Sequence, residues 1–498
     1  MAAHARVFRE PREAMARPPA AVVHHRDRMP CRPQQGDHSR PEKPGAPGDE
    51  DGTIRRTAVG PAPQSSHAVA WYGSPPGNRR LPTLLLRTTL RTIIDDTCGD
   101  PVADRGITVL VDGRIDGPDG IGRYTRQTVA ALRARAETMT TADAGVYADA
   151  DDTLGVRVEV LGPTGTGRYS RAEGDELAAA ADRVGADLVH VLDYRMPWRG
   201  LTAPVIVSAH DVVRLVDPEL CYTDRQFTAR FGTRAFEALG VAVEDLRELT
   251  PHPGFDTANA PRHREFYARM MRLTASRAAR IVVPTQVVLG QFAEFVDVGA
   301  PLLVSPWGVD HLPREPDDLD RGFLLYVGQA RVHKRVGALV DAYAASDAYL
   351  AGVPLVLVGR DFAPGSAGAE QLREHPCAHR VMLLDTVDDA LLAALYARAI
   401  ALVHLASHEG YGFPPLEALA AGARVVASDI PTLREVLGDS AEFVHAESTA
   451  SVAAAIDRVV SAPDPPALRI RRSARIRERR WSDHADTLIA CYRAAVTA

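Results

Sequence analysis

Lysine is almost absent from this chain: of 58 basic residues only Lys43 and Lys334 are lysine, and the rest are arginine. Abundant alanine accompanies the bias, a combination that points to GC-rich coding. Where the background replaces lysine so thoroughly, a retained compact ammonium is a candidate for a role that a planar guanidinium cannot fill. Chance survival is the other reading, and composition does not separate the two. Cysteine is also sparse. Cys31, Cys98, Cys221, Cys377 and Cys491 are scattered, with no CxxC pair to suggest zinc or a redox centre, so a reducing cytosol is the compartment they fit. Apolar runs such as Leu84-Leu85-Leu86 fall far short of the roughly 20 residues needed to span a bilayer, and no signal-peptide core precedes them. A cytoplasmic protein, at most peripheral to a membrane, is expected. The formal charge of −6 leaves no basic footprint, which argues against a nucleic-acid partner.

At 498 residues the chain exceeds one ordinary core, so two or more domains are expected. Residues 1–80 carry twelve prolines, many arginines and little apolar periodicity, and cannot bury enough surface to offset ordering entropy. We expect a disordered or poorly ordered extension over residues 1–104, with one short helix around 84–94 to which no function attaches. Order begins at Ile107-Thr108-Val109-Leu110-Val111-Asp112, a β-branched run typical of buried parallel strands. Further strand-like runs at 156–161, 188–192, 205–209 and 281–283 alternate with helical stretches at 121–135, 173–184, 264–279 and 287–296. After Pro306-Trp307-Gly308-Val309-Asp310 the pattern restarts, with strands expected at 323–327, 355–358, 381–384, 400–403 and 424–427. The fold class is α/β: two doubly wound, Rossmann-like domains facing across a cleft. Their expected limits are 105–310 and 311–480, with 481–498 a helix returning to the first domain. Residues 214–260 break the rhythm and read as an insertion.

The most informative stretch is Ser407-His408-Glu409-Gly410-Tyr411-Gly412-Phe413-Pro414-Pro415-Leu416-Glu417. Proline is preorganised for a first helical position, so the double proline marks a helix N-terminus, placing Glu409 on the loop before it and Glu417 in the first turn. Unpaired amides and the positive dipole end face the loop, where Gly410 and Gly412 let an anion approach the backbone. This describes a phosphate site with acids beside it.

Residues 106–497 together resemble the retaining glycosyltransferases of family 4, which have the GT-B architecture. The block 404–444, including the Glu409-x7-Glu417 pair, is similar to that family's donor-binding region almost throughout. The resemblance implies that Glu409 bonds the donor sugar hydroxyls and Glu417 the ribose, while amides around Gly410, Tyr411, Gly412 and Phe413 line sugar and diphosphate. A carboxylate can accept two hydroxyl hydrogen bonds at once, as ribose recognition requires. Tyr326-Val327-Gly328-Gln329-Ala330-Arg331-Val332-His333-Lys334 resembles the loop that supplies a cation pair to the diphosphate. Many members have arginine directly after the glycine, where this chain has Gln329; Arg331 is the substitute and Lys334 the second cation. Fixed cations at the leaving β-phosphate stabilise the transition state more than the ground state. In the first domain, the loop containing Gly120 and Gly122 resembles the family's glycine loop, although Gly120-x-Gly122 alone is equally a tight turn. His210, in Ser208-Ala209-His210-Asp211-Val212, matches a cleft-facing histidine that would reach the donor sugar, whereas Asp211 reads as a turn cap.

The expected activity is therefore a retaining, metal-independent hexosyl transfer, with mannose suggested by the Gln-Ala-Arg-x-His-Lys form of the phosphate loop. The partner is a nucleotide-diphosphate sugar, used as donor substrate with no separate cofactor. The acceptor, be it glycan, lipid-linked or small, is not legible. Asp149-Ala150-Asp151 has metal-site spacing but lies in an alanine-rich linker without strand context, and Gly162-x-x-Gly165-x-Gly167 does not match a dinucleotide fingerprint. Two rival readings remain at this stage: a glycoside hydrolase using the paired carboxylates, and a silent sugar-nucleotide binder.

Overall fold

Among the described residues twelve strands form two wholly parallel sheets. The first comprises β1 (Ile107–Asp112), β2 (Val156–Leu161), β3 (Leu188–Val191), β4 (Val205–Ser208), β5 (Arg280–Val283) and β6 (Leu302–Val304), in the order β2-β1-β3-β4-β5-β6. In the second, β7 (Phe323–Val327), β8 (Leu355–Val358), β9 (Val381–Leu384), β10 (Ala399–His404), β11 (Arg424–Ser428) and β12 (Glu442–Val444) run β12-β11-β10-β7-β8-β9. The computed structural model describes residues 106–142, 155–166, 169–198, 200–249, 260–296, 298–316 and 319–497, all within the unit Gly99–Ala498. The expectations for residues 1–104, for a helix at 84–94 and for Asp149 and Asp151 lie outside the described residues.

Helices cover both faces of each sheet, so the central strands are apolar on both sides and read as continuous runs. In the first core Leu110, Val189, Val207 and Ile281 meet Phe266, Met270 and Phe292; in the second Leu324, Leu357, Val403 and Val426 meet Leu339, Val340 and Ile456. Each such fully buried side chain contributes about 1.5–3 kcal/mol. Strands β6 and β12 were not anticipated, because three residues at a sheet edge give too short a run for periodicity to register. The segment expected to be an insertion is helical over Val213–Val216, Asp224–Phe231 and Thr233–Asp245; residues 250–259 lie outside the described residues.

The last helix, Trp481–Val496, packs on the helix Gly120–Ala142 of the first sheet. Its attachment is polar as well as apolar. Tyr492 Oη lies 2.7 Å from His190 Nδ1, His484 bridges Ser305 Oγ (2.6 Å) and Tyr124 Oη (3.2 Å), and Ser208 Oγ joins Tyr124 (2.8 Å) and His190 (2.9 Å). Burial pushes both histidines down to about 3, so both are neutral partners in this network. Among the described residues no helix is long and apolar enough to cross a membrane.

Candidate active site

In open parallel sheets ligands bind beyond the carboxyl ends of the strands. There the loops after β1, β4, β7 and β10 converge. Strand β10 ends at His404, and a loop leads to the helix Phe413–Ala420. Within that loop, Glu409 Oε1 accepts from His404 Nε2 at 2.6 Å and from the Lys334 ammonium, while Oε2 takes neither bond. Burial alone would raise the Glu409 carboxyl, but Lys334 and His404 overcome it and hold the group well below the usual carboxylate range. Burial also keeps His404 below its ordinary value. With its proton on Nε2, its Nδ1 is a buried acceptor with no partner. The result is a fixed anion next to a cation.

Glu417 departs from the expected position. Gly412, with φ at 99°, caps the helix in the left-handed conformation, so the first turn begins at Phe413 and Glu417 falls in the second. It is buried and fully engaged: the Tyr396 hydroxyl donates to Oε2 at 2.8 Å, while His311 Nε2 (3.1 Å) and Arg123 (3.4 Å) approach Oε1. Trp481 Nε1–H donates to His311 Nδ1 at 3.2 Å, and His311 Nε2 sits between Glu417 Oε1 and Arg123 Nη1, the latter 2.6 Å away. Burial would raise this carboxyl too, and Arg123, His311 and Tyr396 together hold it down.

Gly410 connects the two sheets. A Cβ at this position would stand 2.3 Å from the His210 carbonyl oxygen and 2.9 Å from Asp211 Cβ, so only glycine lets the β10 loop meet the end of β4. His210 Nε2 donates to the Leu192 carbonyl at 2.7 Å, leaving Nδ1 as an acceptor, and its ring meets Tyr124 (4.8 Å) and Trp307 (5.2 Å) edge-on. Asp211 accepts from the Val213 amide at 3.0 Å and caps the turn. Tyr411 donates to the Trp307 carbonyl at 2.5 Å, and Phe413 stacks on the Trp307 ring at 5.0 Å. The side chains of Tyr411 and Phe413 thus pack the junction, with Gly120 against the Phe413 ring. Gly122 N donates to Asp119 Oδ1 at 3.1 Å.

The β7 loop is braced on three sides. Gly328 N donates to Val358 O at 2.9 Å, Ala330 N to Asp361 Oδ2 at 2.8 Å, and Ser407 N to the His333 carbonyl at 2.8 Å. A 3₁₀ turn, Val332–Lys334, follows. It sends its two cations apart: Lys334 goes to Glu409, whereas Arg331 lies 5.9 Å from the Tyr222 ring centroid. Gln329, which stands where the family pattern has arginine, accepts from Arg331 Nε at 2.8 Å and fixes that guanidinium. The structure therefore brings together Lys334, Glu409, Gly410 and His210, and separates Arg331 from the Glu409 pair. Sequence reasoning assigned no role to His404, Gln329, Arg123, His311 or Tyr396. For His404 a signal existed, a polar residue closing an apolar strand just as His210 follows β4.

Two doubly wound parallel sheets, with their carboxyl-end loops joined across a cleft, define the GT-B architecture. Residues 311–478 match the glycosyl transferases group 1 family and residues 119–308 the glycosyl transferase 4-like domain. The chain belongs to the family 4 glycosyltransferases. It is 31% identical over 144 residues to the O-antigen chain mannosyltransferase RfbU of Salmonella typhimurium, covering 28% of this chain and 39% of the relative. To the phosphatidyl-myo-inositol mannosyltransferase of Mycolicibacterium smegmatis it is 31% identical over 197 residues, 38% of this chain and 45% of the relative. The chain thus spans less than half the length of these curated relatives. Among solved structures, HepE of Anabaena in complex with UDP and glucose shares the fold, with a TM-score of 0.51 at 15% identity, covering 78% of this chain and 100% of that one.

Proposed function

We propose that this protein is a retaining glycosyltransferase that moves a hexose, mannose in the first instance, from a nucleotide-diphosphate sugar to an acceptor hydroxyl in glycan, polysaccharide or glycolipid synthesis. The observation that carries this reading is the Lys334–Glu409–His404 group on a loop seated against His210. Glu409 Oε2 would accept from the sugar hydroxyls, and Lys334, with Arg331 at the edge of the same turn, would meet the diphosphate. His210 Nδ1 would accept from the sugar's primary hydroxyl. Glu417 would take the ribose hydroxyls once Arg123 yields its place. The acceptor oxygen attacks the anomeric carbon on the face the phosphate leaves, the anomeric carbon–oxygen bond to phosphate breaks, and the departing phosphate oxygen takes the acceptor's proton. No side-chain nucleophile and no metal ion are needed for that sequence. It would proceed in the cytoplasm or at a membrane surface.

Mannosyl transfer is the activity in the names of both curated relatives, and it agrees with the form of the phosphate loop. Calorimetric binding of GDP-mannose, UDP-glucose and a dTDP-sugar, followed by anomeric analysis of the product by NMR, tests the reading. Binding of none of these donors, or an inverted product, would overturn it. Sugar release without nucleotide would favour the hydrolase reading instead.

A further inference from the structure

The helical segment after β4 directs positive charge at the phosphate loop of the second sheet. Arg230, exposed at the end of the helix Asp224–Phe231, holds its Cζ 5.7 Å from the Tyr222 ring centroid, and Arg331 reaches the same ring from the opposite sheet at 5.9 Å. Arg214 lies over Tyr267 at 5.4 Å, with a buried Nε that has no hydrogen-bond partner. Among the described residues none of the three makes a salt bridge. The nearby acids are occupied, Asp119 by Arg360 (3.5 Å) and the Gly122 amide, Asp211 by the Val213 amide. Burial pushes Arg331 below the usual guanidinium range, with Tyr222 opposing, Arg214 and Arg230 adding to the fall and Asp119 opposing again. Only Asp211 beside Arg214 and Asp119 beside Arg331 offset the three cations among the described residues, and Asp119 is shared with Arg360, so a surplus of positive charge remains that an anion would complement.

We infer that Arg214, Arg230 and Arg331 form a second anion site that takes a phosphate group carried by the acceptor. This rests on the donor reading above, because Lys334 turns away from the cluster toward Glu409 and leaves Arg331 shared between two anions. Two of the three arginines come from the first-sheet side, which the donor reading leaves for the acceptor. Val332, next to Arg331 and 90% exposed, sets an apolar surface beside the cations, as an acyl or polyprenyl chain on that phosphate would use.

The test is calorimetric titration of inorganic phosphate into the full chain saturated with GDP or UDP, for the parent, Arg230→Ala and Arg230→Lys. Phosphate should bind alongside the nucleotide. Arg230→Ala should weaken phosphate about tenfold or more, the scale of a charged hydrogen bond, with nucleotide affinity unchanged and Arg230→Lys restoring part of the loss. Cosedimentation with phosphatidylcholine vesicles, with and without phosphatidic acid, separates the sources: Arg230-dependent capture by phosphatidic acid assigns a lipid phosphate, and phosphate binding without capture a soluble one. Phosphate that competes one for one with nucleotide, or that is indifferent to Arg230→Ala, would overturn the inference. Absence of nucleotide binding in the parent would instead overturn the donor reading, and phosphate titrated into the protein alone, with the same variants, then decides the cluster.

Discussion

Lys334→Ala separates the stabilising role of the lysine from its proposed role at the diphosphate. In the parent, the Glu409 carboxylate is 11% exposed and bonded to two groups, the Lys334 ammonium and His404 Nε2. Removing the ammonium leaves a mostly buried carboxylate with one neutral donor, and breaking such a pair costs about 3–5 kcal/mol. Adding Glu409→Gln removes the stranded charge. An amide still accepts from His404, so most of the lost stability should return in the double variant. Transfer should not return. Loss of one preorganised electrostatic contact lowers turnover about a hundredfold or more, and the double variant lacks both the cation and the anion. The assay pairs urea unfolding at pH 7 with initial rates of transfer at saturating donor. The parent should also gain stability from Glu409 that is present above the unfolded carboxyl range and disappears as pH falls through the folded one, because its folded value is depressed. That acid-dependent component should be missing from the double variant. Transfer by Lys334→Ala within about threefold of the parent would refute the catalytic assignment, given that scale. A double variant no more stable than Lys334→Ala alone would refute the account of the pair.

Gly410→Ala should part the β10 loop from His210, since its Cβ would stand 2.3 Å from a carbonyl oxygen; we expect transfer to fall about tenfold or more while far-ultraviolet circular dichroism is unchanged. Gln329→Ala frees Arg331 from its 2.8 Å bond and should raise the donor KM more than it lowers kcat, a split that steady-state kinetics reads directly. Burial lowers His190, His263 and His484 to about 3 each, so each stays neutral in the fold while the unfolded chain takes up protons below about pH 6.5. Stability should therefore be full above that value and fall with acid, by up to roughly 1.4 kcal/mol per pH unit for each histidine. Urea midpoints between pH 7.5 and pH 5 check this, and His190→Gln should flatten the dependence.

Much of the architecture was legible in local pattern. Strands β1, β2, β7, β8 and β9 fall on the expected residues: β1, β7 and β8 are inner strands and read as nearly continuous apolar runs, while the edge strand β2 alternates apolar residues with Arg157 and Glu159. Helix starts were less legible. The double proline pointed to a start at Pro414, but Gly412 takes the cap and shifts Glu417 into the second turn. No local pattern reports the φ that a glycine will adopt.

The candidate site divides along the same line. Glu409, Lys334 and Gly410 announced themselves through residue type against background, above all Lys334, the one lysine among the described residues. Their partners did not. His404 lies only five positions from Glu409, but Arg123 reaches Glu417 across 294 positions of sequence, and Gln329 became a strut for Arg331 only through side-chain geometry.

By itself the sequence determined the two parallel sheets and the presence of a cationic loop after β7 and an acidic loop after β10, because burial period and turn chemistry act over a few residues. Only the tertiary structure decided how those loops meet. Gly410 on the His210 carbonyl, Lys334 turned to Glu409 and Arg331 turned to Tyr222 all depend on chain segments remote in sequence, whose approach is fixed by the packing of two sheets and the helix Trp481–Val496. Charge balance in the cleft is a property of that approach, since Coulomb energies depend on distances that no spacing along the chain encodes.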